Sequence, residues 1–337
     1  MIFILRMQLN TPVPLPKEGF TIEHRSKILL MGSCFTQNIG TKLTAYKFDA
    51  CVNPFGTAYN PLSIATILQR IVNGKAFDEE SPEIFESGEL WHSILHHSDF
   101  SQSSREELIK TINLSMAQAR EHIKSYDIYA LTLGTAYVYV RNSDNLVVNN
   151  CHKLPAKMFT RRLLGIEEIT ESMSHTMRDI IAMRPKARFI FTVSPIRHLR
   201  DGAHDNQLSK STLLLAINKL QALFPDNCTY FPAYEIMLDE LRDYRFYAED
   251  MVHPSPLAIE YIWQKFMACY LGEKSTTLCD AIDNINKKLA HRPFNPQSNA
   301  YKTFVQGVVQ EITELITEHP YLDFKNEFER CNTLLNR

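Results

Sequence analysis

The chain has 337 residues, 45% of them hydrophobic and 22% charged, with a formal net charge of −2. Such a composition supplies a full apolar core and excludes a disordered chain, while the near-neutral charge leaves no electrostatic footprint for nucleic acid or an anionic membrane surface. The length exceeds the roughly 250–300 residues at which a single core stops growing, so a main domain with a smaller appendage is expected.

In chain order, Met1-Ile-Phe-Ile-Leu runs into Arg6, short of the apolar core of about 7–15 residues that a secretory signal needs; Met7 is an alternative start. Thr11 to Phe20 reads as an extended lead-in punctuated by proline and glycine. Lys27-Ile-Leu-Leu-Met-Gly32 is a continuous apolar run closed by glycine, as expected for a strand buried on both faces of a parallel sheet. Runs of the same kind recur at Asp127–Gly134, Arg188–Pro195 and Cys228–Pro232. Between them, apolar residues at three- and four-residue spacing predict helices over 36–47, 61–73, 105–124, 166–183 and 208–224. Strand and helix alternate, the pattern of βαβ units with right-handed crossovers. Ala136-Tyr-Val-Tyr-Val140 and Leu146-Val-Val148 read as a hairpin across Asn142–Asn145. A helix over 259–271 closes the main domain, expected to span 10–270. Residues 271–337 then read as a helical C-terminal extension, with helices at 277–290, 298–318 and 323–335. No run approaches the ~20 apolar residues that cross a bilayer, so no membrane partner is expected. The seven cysteines are scattered without a Cys-x-x-Cys pair, which argues against a disulfide framework or a cysteine-zinc site and suits a cytoplasmic location.

The chemistry centres on Ser33. A strand that runs straight into Gly32-Ser33 and then into a helix delivers the serine to the carboxyl edge of a parallel sheet, where open α/β folds bind ligands. The adjoining helix N-terminus offers unpaired backbone N–H groups and a positive dipole end, suited to a developing oxyanion. A serine at this position also serves as a simple helix N-cap. A nucleophilic serine needs a base steered by a carboxylate, and Asp250-Met-Val-His253 places both within one turn, on a loop before the last helix of the domain. The alternative for this pair is a capping aspartate beside a surface histidine.

The segments Gly32-Ser-Cys-Phe-Thr36, Asn53-Pro-Phe-Gly-Thr-Ala-Tyr-Asn-Pro61, Leu131-Thr-Leu-Gly-Thr135, Asn150-Cys-His-Lys153, Thr192-Val-Ser-Pro-Ile-Arg-His198, Asp243-Tyr-Arg-Phe-Tyr247 and Asp250-x-x-His253 occur in an order that resembles the GSCFA family, within the SGNH/GDSL hydrolase-like superfamily. The resemblance implies a three-layer flavodoxin-like α/β sandwich with a five-stranded parallel sheet. It implies Ser33 as nucleophile, His253 as general base and Asp250 as its orienter. The oxyanion would be held by the N–H groups of Ser33 and Gly56 and by an asparagine. That asparagine is missing, because the usual Gly-x-Asn reads Gly134-Thr135-Ala136; Thr135 and Asn53 are the residues left to take its place. Cys34, following the nucleophile, reads as a small buried hydrophobe.

Other constellations compete. His92 and His96 stand at i,i+4, a spacing that grips a metal on a helix, although no metal or other cofactor is expected. His96 and His97 are candidate substrate-pocket residues instead. Arg197 and His198, at the end of another strand, are placed to hold a carboxylate, phosphate or sugar hydroxyl; the competing role for Arg197 is anchoring a loop through backbone carbonyls. The function expected is a serine esterase or acyl-group hydrolase acting on a small or carbohydrate-linked ester. An O-acyltransferase would use the same residues, and the missing asparagine also suits a non-enzymatic binding protein on a decayed hydrolase scaffold.

Overall fold

A computed structural model describes residues 11–16 and 20–336; the Met1–Arg6 extension ahead of the alternative start lies outside them. The first long apolar run forms β1 (Lys27–Gly32), followed by α1 (Cys34–Ala45), β2 (Asp49–Val52) and α2 (Pro61–Asn73). A hairpin of β3 (Ile84–Ser87) and β4 (Leu90–Ser93) precedes α3 (Arg105–Ile123) and β5 (Ile128–Leu133). Next come β6 (Tyr137–Arg141), β7 (Val147–Val148), β8 (Phe159–Leu163) and α4 (Ile166–Met183). The domain is completed by β9 (Arg188–Val193), α5 (Gly202–Leu223), β10 (Cys228–Tyr230), a single turn α6 (Ala233–Glu235) that widens into a π-helical turn at Ile236–Glu240, and α7 (Pro256–Tyr270).

The five central strands pair in the order β10-β9-β5-β1-β2, and every pair is parallel. Successive side chains of a strand face opposite ways, which sorts β1 into two layers. Ile28 and Leu30 pack with Phe35, Ile39, Leu43 and Trp263 of α1 and α7. Leu29 and Met31 join Ile64, Leu68, Met173 and Ile217 of α2, α4 and α5 on the other face. The result is the expected three-layer α/β sandwich. The chain leaves β1 for β2 on one side and continues to β5 on the other, so the carboxyl end of β1 lies at the switch point where ligand crevices open in such sheets.

Several differences from the sequence-based expectations have local causes. The edge strand β2 is only four residues long and half-exposed, so it lacks the continuous apolar run that marks the central strands. Trp91 and His92 lie on β4, and His96 sits in the turn beyond it, so the two histidines do not share a helix face and the i,i+4 metal reading does not hold. The 136–148 hairpin forms as β6 and β7, but β8 joins it to make a three-stranded antiparallel sheet, β7-β6-β8. Beyond the main domain, α8 (Glu273–Ala290), α9 (Asn299–Glu318) and α10 (Lys325–Leu335) share their own apolar cluster around Ile282, Val305, Val308, Ile312 and Phe324. A Lys47–Glu327 ion pair at 2.7 Å and a hydrogen bond from Asn286 Nδ2 to the Ala45 carbonyl tie them to the region just after α1.

Gly32 closes β1 with φ +147°, and a Cβ there would lie 2.3 Å from the Thr132 carbonyl oxygen of β5. Both the backbone angle and the close approach require glycine. Gly32→Ala is therefore expected to cost about 3 kcal/mol or more, measured as a lower urea midpoint. An unchanged midpoint would show that β1 and β5 part easily at this end.

Candidate active site

The carboxyl ends of β1, β5 and β9 deliver Ser33, Thr135 and Ser194 to one cavity of about 400 Å³. Tyr137, Tyr139 and Arg161 of the antiparallel sheet form one wall, and the Val252-His253 loop closes another side.

Ser33 occupies the N-cap position of α1, yet its side chain does not cap the helix. Its hydroxyl donates instead to Ser194 Oγ at 3.1 Å, across the cavity floor. Ser194 Oγ also accepts from the Ile196 N–H. The N-cap role thus falls to the Ser33 backbone, whose carbonyl accepts from Thr36 N–H at 2.9 Å. The Ser33 hydroxyl is left at the mouth of the helix dipole.

His253 faces the same cavity from the other side. Its Nδ1 is 2.5 Å from Asp250 Oδ2, while Asp250 Oδ1 accepts from the backbone N–H groups of Val252 and His253 at 2.9 Å. Those backbone N–H bonds, the His253 one first, hold the Asp250 carboxyl down to about 2, so it is a carboxylate throughout the working pH range. The tight loop requires Met251 at φ 57°, a left-handed conformation that costs a residue with a side chain on the order of 1 kcal/mol. With Nδ1 facing a carboxylate, its proton sits there and Nε2 is the acceptor. No hydrogen bond joins Ser33 and His253; the Ser33 hydroxyl donates to Ser194 Oγ.

The residues expected to complete an oxyanion hole are differently employed. The Gly56 N–H donates to the Asn53 carbonyl, and Gly56 packs on the His97 Cβ outside the cavity lining. Asn53 Oδ1 accepts from the Gly32 N–H, bracing the end of β1, while its Nδ2 is buried without a partner among the described residues and lies outside the cavity lining. Thr135 does line the cavity, but its hydroxyl is bonded to Ser209 Oγ and accepts from the Tyr137 N–H. Among the described residues the Ser33 N–H has no hydrogen-bond acceptor.

His96 and His97 stand apart from the cavity lining. His96 is fully buried, its ring among Phe55, Phe77 and Phe100 and its Nδ1 bonded to Ser93 Oγ. His97 points toward Asp99 at 3.1 Å. Burial pushes the His96 imidazole down to about 3. An unfolded chain takes up protons on this side chain below about 6.5, whereas the folded one refuses them until about 3. Its contribution to stability is therefore complete above pH 6.5 and is lost progressively as pH falls toward 3. At pH 4.5 the loss from His96 alone is expected to be about 2–3 kcal/mol, with His24 and His198, each pushed down to about 4 mainly by burial, adding in the same direction. Urea midpoints at pH 7 and 4.5 for the wild type and His96→Phe measure it; equal pH sensitivity of the two proteins would refute the assignment.

Arg197 and His198 both line the cavity. Among the described residues Arg197 makes no hydrogen bond to a loop carbonyl that would support the anchoring role, and its Nε is buried with no partner. Cys34 is half-buried and lines the cavity, its Sγ 3.7 Å from the Tyr59 hydroxyl, and so is more open than expected. Two parts of the site were given no role in the sequence. Ser194, inside the Thr192–His198 segment, accepts the hydrogen bond of the Ser33 hydroxyl. Lys210, fully buried on α5, donates to the carbonyls of Gly134 at 2.7 Å and Ser194 at 2.8 Å, clamping the ends of β5 and β9 beneath the cavity. Desolvation, with Arg197 adding repulsion, lowers the Lys210 ammonium to about 7.

Residues 27–266 match the model of the GSCFA family. The chain belongs to the GSCFA family. Residues 282–337 match a second model, the GSCFA domain protein C-terminal domain, which takes in the second half of α8 and all of α9 and α10. The GSCFA match covers every residue that lines the cavity, from Ser33 to His253. No curated protein matches this GSCFA chain. Among the described residues no helix is long and apolar enough to cross a membrane.

Proposed function

We propose that this GSCFA protein is a serine esterase or acyl-group hydrolase of the SGNH type, forming an acyl-serine on Ser33. The observation that carries the reading is the convergence, in one cavity, of a serine hydroxyl that declines to cap its helix and a histidine held by a carboxylate. In the reaction, Ser33 Oγ attacks the ester carbonyl and its proton passes to His253 Nε2. The carbonyl oxygen becomes an oxyanion beside the Ser33 N–H and the N-terminus of α1. Collapse expels the alcohol, which takes the proton from Nε2. Water, deprotonated by the same nitrogen, then attacks the acyl-serine, and as the carboxylic acid leaves, the proton returns from Nε2 to Ser33 Oγ. Breaking the Ser33–Ser194 hydrogen bond and turning the hydroxyl toward His253 is part of substrate binding. An acyl-accepting alcohol in place of water makes the same site an O-acyltransferase. A cytoplasmic location accords with cysteines that are all free among the described residues.

One observation favours a second reading. The Gly56 N–H and the Thr135 hydroxyl are both spent inside the protein, and Asn53 stands outside the cavity lining with its Oδ1 on the Gly32 N–H, which suits a binding protein on a hydrolase scaffold. Incubation with a fluorophosphonate probe, followed by mapping of the modified peptide, separates the two. Labelling at Ser33 together with p-nitrophenyl acetate turnover supports the hydrolase. Neither in a correctly folded protein supports the binding reading, and labelling elsewhere removes Ser33 from its role.

A further inference from the structure

The charged groups around the cavity do not balance. Asp201 spends its carboxylate on Arg161 at 2.5 Å, and the Arg161 guanidinium lies 3.9 Å over the Tyr137 ring. On the far side of Arg197, where a second hollow is lined by Arg197, Asp243 and Tyr247, Asp243 accepts from the Arg245 backbone N–H and faces the Arg245 side chain at 3.5 Å. Asp250 is taken by His253. Exposed Asp205 faces the Tyr137 hydroxyl, so each of these acids has a partner other than Arg197. Against this, Arg197 is half-buried with no hydrogen bond or ion pair among the described residues, and its Nε is wholly shielded from solvent. Arg200 stands exposed at the cavity rim, and Lys210 lies buried below, bonded to two carbonyl oxygens and 5.6 Å from the Tyr234 ring, with no carboxylate partner among the described residues.

A guanidinium withdrawn from water without an acceptor is an unfavourable arrangement, and its planar donor fork matches the two oxygens of a carboxylate or phosphoryl group. Arg197 lies three residues beyond Ser194, the residue that holds the Ser33 hydroxyl, and shares its cavity. We propose that Arg197 is the anchor of an anionic subsite, so that the ligand of this cavity is an ester carrying a carboxylate-like group. This inference rests on the hydrolase reading for the word ester, but not for the anion. Arg197 would grip the anion, Arg200 and Lys210 would add an attractive field, and the ester carbonyl would be held over Ser33. The residue acts on binding rather than on bond breaking.

Equilibrium binding needs no turnover and so tests the anion separately from the chemistry. Monoethyl succinate and diethyl succinate, alike in their ester and differing in one charge, are titrated calorimetrically into the Ser33→Ala protein, alone and combined with Arg197→Gln. The monoanion is expected to bind at least about tenfold more tightly than the neutral diester, and Arg197→Gln is expected to erase that difference. Competition by inorganic phosphate against the monoanion shows whether phosphoryl groups share the subsite. Because Arg197 has no hydrogen bond or ion pair among the described residues, Arg197→Gln is expected to keep the wild-type thermal midpoint or to exceed it, which a structural arginine would not allow. Equal binding of the two esters, no binding of either, or a charge preference that survives Arg197→Gln would each overturn the proposal. Wild-type turnover without a preference for the charged ester would then leave the hydrolase reading standing. A charge preference without turnover would do the reverse.

Discussion

Replacing Ser33 by alanine is expected to lower p-nitrophenyl acetate turnover by about 10⁴-fold or more, the scale on which removal of a serine nucleophile acts in a well-studied protease. The hydroxyl makes a single hydrogen bond, to Ser194 Oγ. Its loss is expected to cost the fold only about 1 kcal/mol, a shift of a few degrees in thermal midpoint for a chain of this size. The combination is diagnostic. A large fall in rate with a nearly intact midpoint belongs to a nucleophile, whereas comparable falls in both belong to a packing residue. Turnover that persists in Ser33→Ala would assign the activity to another part of the protein.

The second large effect concerns the pair on the 250–253 loop. His253→Ala is expected to reduce the rate by about 10⁴-fold, and Asp250→Asn by about 10³–10⁴-fold. The asparagine amide would face Nδ1 with a donor and push the imidazole into the tautomer that cannot take the Ser33 proton. The wild-type carboxyl is held down to about 2 by the loop's own N–H groups. Any acid limb of the rate profile above pH 3 therefore reports a different group. Asp250→Asn also weakens the two N–H bonds that shape the loop, so a rescue of rate in Asp250→Glu would separate charge from loop geometry. Equal rates in wild type and Asp250→Asn would reduce the aspartate to a loop former.

Central strands were readable because burial on both faces leaves an unbroken apolar signature, as in Ile28–Met31 and Phe189–Val193. The edge strand Asp49–Val52 carries no such signature, and the β3–β4 hairpin was hidden because a spacing of four between His92 and His96 suits a helix as well as a strand followed by a turn. In the site, Ser33, Asp250 and His253 were legible because their roles follow from local order. Gly56 was assigned its role by resemblance and Asn53 as a stand-in for the missing asparagine, but their partners are set by neighbours brought close by folding, the His97 side chain and the Gly32 N–H. Lys210 was invisible for the same reason. Its acceptors are carbonyls 76 and 16 residues away, and a lysine on an apolar helix face announces nothing about which carbonyls it will find.

The antiparallel sheet between β5 and α4 has a further consequence. Tyr137, Tyr139, Val148, Asn149 and Arg161 reach the cavity from one uninterrupted stretch, whereas Ser33, Ser194 and His253 come from separate parts of the chain. Chemistry and choice of ligand are thus encoded in different places. Exchange of segment 137–163 between members of the family would replace one wall of the pocket at a stroke and leave the parallel strands that hold the serine untouched. New substrate ranges are then reachable by insertion or graft rather than by scattered point changes.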